Sequence, residues 1–165
     1  MEYLKTKLIK ALLTHFGDDD KRIEHSLRVT AWAEKILEYE DGDYDIMVAV
    51  GLLHDVGIKE AEARDGSASG KLQEKYGPAI ARPILKSIGF TDQQIEESCA
   101  IIGNHHTPEG TPSRNFPILW DADMLVNIRD EMADAGHEKL SAVIEKSFKT
   151  ITGRILAQKD LLGRS

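Results

Sequence analysis

The residues in this sequence best suited to chemistry are His54 and Asp55, which interrupt the apolar stretch VGLLHDV. Imidazole nitrogen and carboxylate oxygen are both common ligands of divalent metal ions. Neighbouring positions on a helix point about 100 degrees apart, so two adjacent residues can share one ion only near a helix end. Gly57 follows two residues later and favours such an end. The structural alternative is that His54 fills the core and Asp55 is an ordinary carboxylate at a helix end.

Three other places in the chain offer donors of the same kind. His25 lies in an amphipathic segment, Asp123 lies on an apolar helix face, and His105 and His106 stand side by side at a helix end. A buried carboxylate without a partner is costly, so Asp123 requires a cation or a strong hydrogen-bond donor. A histidine inside a helix usually fills the core, and loop histidines usually face solvent. The coincidence of all these donors nevertheless favours a metal centre.

Helices must position these donors, because apolar residues recur with helical spacing through most of the chain. Residues 44–56 are apolar almost all round, which indicates a central buried helix. No alternating strand pattern or hairpin signal stands out, so we expect an all-α bundle of about six to eight helices. Two loops, at 60–72 and 107–116, flank the candidate site in sequence, and we expect them to shape substrate choice.

Composition indicates one globular domain spanning residues 1–165, with a C-terminal helix over 137–160. The formal net charge of −7 disfavours a broad nucleic-acid or membrane-binding surface. The single cysteine, Cys99, cannot form an internal disulfide, which fits a cytoplasmic setting. We find no signal peptide and no apolar run long enough to span a membrane.

The order His25, His54-Asp55, Asp123 resembles the HD-domain superfamily of metal-dependent phosphohydrolases. That family is named for an H…HD…D pattern on a helical bundle. The surrounding segments GLLHDVG, GNHHT and DADMLVN strengthen the resemblance, which covers a core of roughly residues 20–130. The resemblance implies that these four residues hold one divalent metal ion.

Asp123 is preferred to Asp121 as the last ligand, because family members usually read Ala-Asp followed by Leu two residues on. Asp121 is the alternative; its structural explanation is a carboxylate near a helix N-terminus. Asn127 lies four residues after Asp123 and shares its helix face. It could reach a substrate or a water in the site, or it could be an ordinary surface amide.

Phosphoryl transfer also needs a cation that balances charge on the phosphoryl oxygens. Lys59, just past the metal helix, is the preferred candidate. Many branches of the family place a lysine one position earlier. Other candidates, each of which could equally be a solvated surface charge, are Arg64, Lys71, Arg82 and Arg114.

Two branches of the family offer finer comparisons. The segment ADMLVNIR is similar to one in alarmone hydrolases, but Ile58 and Lys59 stand where those enzymes have an acidic pair, which argues against that activity. The segment GNHHTPEG resembles the histidine segment of branches that bind more than one metal. A second ion through His105 and His106 is therefore an open alternative. Tyr76 stands where one such branch has a histidine, and nearby Glu74 could substitute.

The sequence thus predicts a metal-dependent phosphohydrolase acting on a nucleotide or another small phosphorylated metabolite. Its catalytic residues would be Asp55, Lys59 and Asn127. The cofactor would be one or two divalent ions, of Mn, Fe, Co, Ni, Mg or Zn. Two alternatives remain: a di-iron oxygenase of HD type, which needs six protein ligands, and a regulatory metal-binding module. The complete H…HD…D set argues against a module that has lost catalysis.

Overall fold

The protein is described by a computed structural model that covers residues 2–163, so the expected domain limits at 1 and 165 lie outside the described residues. Within that range the chain is all helical, which confirms the all-α prediction. Nine helices follow one another: α1 Glu2–Phe16, α2 Asp20–Leu37, α3 Tyr44–Leu53, α4 Ile58–Asp65, α5 Gly70–Ile88, α6 Asp92–Ile102, α7 Phe116–Glu131, α8 His137–Ser147 and α9 Ile151–Leu162.

The centre of the bundle is formed by α2, α3 and α7. In α3 every residue of the range 46–53 is buried, as its uniformly apolar sequence predicts. The amphipathic α2 packs most extensively against α3 and α7. The Asp19 side chain caps α2 by accepting a hydrogen bond of 3.3 Å from the backbone N–H of Arg22. These three helices fix the backbone on which the candidate ligands stand.

The predicted helix end at the His54-Asp55 pair is confirmed. Helix α3 ends at Leu53, and residues 54–57, called here the 54–57 turn, lead directly into α4. Gly57 does not end α3 in the left-handed conformation, because its φ is −74°. A Cβ atom at Gly57 would instead lie 2.5 Å from the carbonyl oxygen of Gln73. The glycine therefore lets the turn approach the backbone of α5.

Two regions differ from their sequence-based expectation. The loop expected at 60–72 is mostly helical, since α4 continues to Asp65 and α5 begins at Gly70. The single helix expected over 137–160 is interrupted between α8 and α9. The backbone N–H groups of Lys149 and Thr150 there donate to the carboxylate of Asp121 instead of continuing a helix. A tertiary contact sets this break, and local propensity does not reveal it.

Among the helices of residues 2–163, none has the length and apolar character that crossing a bilayer requires.

Candidate metal centre

Four predicted ligands converge from three parts of the chain. His25 comes from α2, His54 and Asp55 from the 54–57 turn, and Asp123 from α7. His25 Nε2 lies 3.1 Å from Asp123 Oδ1 and 3.3 Å from Asp55 Oδ2. His54 Nε2 lies 3.4 Å and 3.5 Å from the same two carboxylate oxygens. The structure thus places the H…HD…D residues around one point.

The histidine rings turn their Nε2 atoms towards the carboxylates. His54 Nδ1 lies 2.9 Å from the carbonyl oxygen of Gly51, and His105 Nδ1 lies 2.6 Å from that of Ile102. A carbonyl only accepts, so each Nδ1 carries a proton, and each Nε2 is left to bind either a second proton or a metal ion. These Nε2 atoms face carboxylate oxygens. A cluster of this kind needs positive charge at its centre, and a divalent metal ion that takes the place of the protons fits the donor set.

The electrostatics of the buried groups point the same way. Burial lowers the pKa of His54, but the carboxylates of Asp55 and Asp123 outweigh it and raise that pKa to about 9. Burial raises the pKa of Asp55, but His54 and His105 outweigh it and lower that pKa to about 2. The pKa of Asp123 lies well below its ordinary value, since contacts with His25 and His54 overcome the effect of burial. Both carboxylates are therefore ionised at neutral pH and attract a cation.

A second group of donors adjoins the first through Asp55. Its Oδ2 atom faces His25 and His54, while its Oδ1 atom lies 3.3 Å from His105 Nε2. Asp55, His105 and His106 bring ligand atoms close enough together to hold an ion of their own. The two groups share one carboxylate, whose oxygens point to different sides.

Gln73 is a member of this second group that the sequence analysis missed. The side chain is buried, and its Oε1 atom lies 2.8 Å from His106 Nε2 and 3.3 Å from His105 Nε2. Its Nε2 atom donates to the carbonyl oxygen of Ala68, which directs the amide oxygen at the histidines. A single glutamine in a sequence does not indicate a metal ligand, and this position was expected at the edge of a loop. The side chain is recognised as a candidate ligand only because α5 begins at Gly70 and carries it to the histidines.

The two residues considered for this place from the sequence lie elsewhere. The Tyr76 hydroxyl donates to Asp65 Oδ2 at 2.5 Å, on the exposed side of α5. Glu74 Oε1 accepts from the backbone N–H of His106 at 2.9 Å and from Thr107 Oγ1 at 2.8 Å. Glu74 thus holds the histidine segment in place, and it belongs to neither group of candidate ligands.

Asp121 is also separated from the cluster, although it is fully buried. Its carboxylate accepts from the backbone N–H groups of Lys149 and Thr150, both at 2.8 Å, and from Thr150 Oγ1 at 2.6 Å. Burial raises its pKa despite these bonds. Of the two carboxylates left open by the sequence, the structure brings Asp123 to the histidines and Asp121 to the start of α9.

A cavity of about 580 Å³ opens beside the cluster, between α2 and α7. Four of the candidate ligands, His25, Asp55, His106 and Asp123, line it together with Asn127, which takes the position its spacing predicts. The other charged side chains in its wall are the cations Lys21, Arg22 and Arg28 and the acids Glu24, Asp130 and Glu131. All three cations belong to α2, where the sequence reads as a solvated helix face.

The cations favoured from the sequence do not reach this cavity. Lys59 is exposed, and its Nζ atom donates to the carbonyl oxygen of His15 at 3.0 Å. The first turn of α4 thus directs Lys59 at the C-terminal end of α1, where helix carbonyls attract cations. Three of the others are paired on the surface: Arg64 with Glu60, Arg82 with Glu96 and Arg114 with Asp41. Neither these nor Lys71 lines the cavity.

A smaller cavity of about 90 Å³ adjoins the first, and His106, Asp123 and Asn127 line both. Trp120 and Met124 give the smaller cavity an apolar wall. Trp120 is held by a hydrogen bond of 2.9 Å from its indole N–H to the carbonyl oxygen of Ser147. The cluster therefore adjoins one cavity with a charged wall and one with an apolar wall.

The chain is similar to known proteins of one helical family. The HD domain model matches residues 22–147. A crystal structure of a predicted HD superfamily hydrolase from an uncultured Thermotogales bacterium is 25% identical, with a TM-score of 0.73; the match covers 96% of this chain and 85% of that chain. No curated protein matches. Because the family match spans most of the sequence and includes all four residues of the converged H…HD…D set, the chain belongs to the HD domain family.

Proposed function

We propose that this protein is a metal-dependent phosphohydrolase that acts on a nucleotide or another small phosphorylated metabolite. Its family and its hydrolase neighbour support a metal-dependent hydrolase at the level of the superfamily. The phosphoryl substrate is the finer part of the proposal. The observation that carries it is the cavity beside the cluster, in which three cations stand next to the candidate ligands.

In this proposal His25, His54, Asp55 and Asp123 hold the ion. When bound, a divalent ion supplies a Lewis acid that polarises a phosphoryl oxygen and makes a water molecule more acidic. The protein contributes rigidity, because the Nδ1 bond of His54 to Gly51 fixes its ring. Because the ligands are buried, bulk water does not reach the ion through the core of the bundle.

The cavity walls would orient the substrate. Lys21 and Arg28 attract an anion towards the mouth of the site, and the Asn127 amide can donate to or accept from a group bound beside Asp123. In the smaller cavity, the apolar surface of Trp120 and Met124 suits the organic part of a substrate. A phosphorylated molecule with an apolar portion fits the two adjoining cavities.

We further propose a second ion, held by Asp55, His105, His106 and the Gln73 amide oxygen. The support is the division of the Asp55 oxygens between the two histidine groups. His105→Ala should therefore lower the metal content of loaded protein from two ions per chain to one, as measured by elemental analysis. Tyr76→Phe is the matched control, because Tyr76 faces Asp65, and it should keep both ions. One ion per chain in the parent, unchanged by His105→Ala, would refute the second ion.

The shared carboxylate also favours a second candidate function, a di-iron oxygenase. A pair of redox-active ions joined by Asp55 would serve oxidation as well as hydrolysis. Metal content and oxygen uptake separate the two. Two irons with substrate-dependent oxygen consumption would indicate the oxygenase, whereas phosphate release with Mn, Co, Ni or Mg would indicate the phosphohydrolase.

The test of the main proposal is a screen of nucleotides and sugar phosphates, metal by metal, with the purified protein. Release of inorganic phosphate should depend on added divalent ion and disappear in Asp55→Ala. Arg129→Ala, which removes a surface ion pair with Asp160 on the far side of α7, is the matched control and should retain activity. If no phosphorylated compound is hydrolysed with any of the metals, the proposed activity is wrong.

A further inference from the structure

The larger cavity contains an ion pair that joins its two walls. Arg28 Nη1 lies 2.9 Å from Asp130 Oδ2, and Arg28 Nη2 lies 3.0 Å from Asp130 Oδ1. Arg28 follows His25 by one turn of α2, and Asp130 follows Asp123 by two turns of α7. At a rise of about 1.5 Å per residue, the pair stands roughly 5–10 Å along the helices from the cluster. That is within reach of a small substrate bound at the cluster.

Arg28 is the cavity arginine best placed to exchange partners. The Arg28 and Asp130 side chains are 32% and 49% exposed, so solvent screens their attraction and an incoming anion can reach the guanidinium. Arg22 is held more firmly, since its Nη1 atom contacts both Asp19 and Glu62, at 3.1 and 2.5 Å. The Asp130 carboxylate offers Arg28 two oxygens in a plane. A phosphoryl group offers the same arrangement with more negative charge, and guanidinium binds both in the same forked way.

The acids around the pair limit how much negative charge the cavity accepts. Beyond the candidate ligands and other histidines, three cations face three acids, so the wall carries no excess positive charge. Lys21 and Arg28 suit one phosphoryl group near the cluster. A second or third phosphate would add negative charge beside a wall that already holds Glu24, Asp130 and Glu131, and would be repelled.

We propose that Arg28 anchors the phosphoryl group of the substrate, that Asp130 occupies Arg28 until substrate binds, and that the surrounding acids restrict the site to substrates with a single phosphate group. This inference rests on the proposed phosphohydrolase function and names its substrate class. The exchange involves no covalent step. The Arg28 guanidinium leaves the Asp130 carboxylate, which becomes hydrated, and binds two phosphoryl oxygens.

The first experiment measures binding of inorganic phosphate to metal-loaded protein by isothermal titration calorimetry, together with kcat and KM for p-nitrophenyl phosphate. Arg28→Ala should weaken phosphate binding about tenfold or more, as loss of charge-assisted hydrogen bonds predicts, and should raise KM more than it lowers kcat. Arg28→Lys should recover only part of the affinity, because lysine lacks the fork. Asp130→Asn should tighten phosphate binding, since it frees Arg28 and removes a repulsive charge.

The tighter phosphate binding expected for Asp130→Asn distinguishes an Arg28 that binds phosphate from an ion pair that is only structural. If the pair only holds α2 against α7, Arg28→Ala and Asp130→Asn should both lower the melting temperature and leave phosphate affinity unchanged. That result overturns the proposal. Arg129→Ala and Asp160→Asn are matched controls, because they break a comparable exposed pair between α7 and α9. Should Arg28→Ala fail to fold, Arg28→Lys and Asp130→Asn still decide the question.

The second experiment compares a nucleoside mono-, di- and triphosphate as competitors of phosphate binding. The monophosphate should bind most tightly, and Asp130→Asn with Glu131→Gln should improve binding of the triphosphate most. Tighter binding of the triphosphate to the parent would overturn the single-phosphate restriction. The two proposals fail separately. Arg28-dependent phosphate binding without hydrolysis would refute the proposed activity alone, whereas hydrolysis with an unchanged KM in Arg28→Ala would refute the anchor alone.

Discussion

Asp121 and Asp123 stand two residues apart on α7, both are buried, and yet their surroundings are opposite. Asp121 receives three hydrogen bonds from Lys149 and Thr150 at the start of α9. Asp123 faces the ring nitrogens of His25 and His54 and shares them with a second carboxylate. Two positions separated by about 200 degrees around one helix thus serve two different regions of the molecule.

The difference shows how a buried carboxylate reveals its role. Donors that belong to the fold satisfy Asp121, so its negative charge needs no ion. Around Asp123 the fold supplies a second carboxylate and histidines whose free nitrogens are also acceptors, and this arrangement is balanced only by protons or a cation. The same residue type therefore stabilises the fold in one region and prepares a binding site in the other. Exchanging either residue for alanine should separate these roles.

The largest effect is expected for Asp123→Ala on activity and metal binding. Loss of a ligand should reduce turnover by about three orders of magnitude or more, equivalent to about 4 kcal/mol of transition-state stabilisation. In the parent, an ion at 100 times its dissociation constant should stabilise the fold by about 2.7 kcal/mol, and the variant should lose this gain. Stability without metal should fall at neutral pH, because the lowered pKa of Asp123 means that the fold stabilises its carboxylate through His25 and His54. Thermal melts with and without metal, beside a phosphate-release assay, measure all three.

Asp55→Ala should behave in the same way, since Asp55 faces the same histidines. If either variant still gains stability from metal and turns over at the parent rate, the cluster is structural. The His54-Asp55 pair would then be no more than the end of α3.

The next largest effect is expected for Asp121→Ala, on stability. The variant leaves the N–H groups of Lys149 and Thr150 without their acceptor, which should cost about 3 kcal/mol of unfolding free energy. Gly153 packs so closely on this carboxylate that a Cβ there would collide with it, so Gly153→Ala should also destabilise the fold. Urea denaturation measures both. The metal-induced rise in melting temperature should persist in Asp121→Ala, and its disappearance would show that the two regions are coupled.

The contrast also explains which parts of the structure the sequence could predict. The buried α3 and the helix end at His54 follow from local patterns that the structure confirms. The interruption between α8 and α9 depends on Asp121, which precedes it by 28 residues, so no local pattern reveals it. The start of α5 was missed for a related reason. Gly70 falls within the loop expected at 60–72, whereas α5 begins there and packs closely against Gly57 at Gln73 and Gly77.

Like the fold, the candidate site could be predicted from the sequence only in part. The residue types and order of His25, His54, Asp55 and Asp123 single them out, and the structure places them together. Whether they bind metal remains a prediction. The cations that line the cavity could not be chosen from the sequence, because only the packing of α2 against α7 shows which lysines and arginines face the cavity. Gln73 was missed because an amide carries little signal by itself.

The smallest effect is expected for Lys59→Ala, which tests whether position in sequence or position in space decides the role of a cation. Lys59 lies four residues after Asp55, but its Nζ atom binds the carbonyl of His15 at the C-terminus of α1. Removing an exposed contact of this kind should cost at most about 0.5 kcal/mol and leave turnover within about twofold of the parent. Lys21→Ala is the matched comparison: Lys21 lines the cavity, and its loss should raise KM. Steady-state kinetics on the same substrate decide between them. A large fall in kcat for Lys59→Ala with no change for Lys21→Ala would restore the sequence-based choice, and would mean that α4 moves towards the cluster when substrate binds.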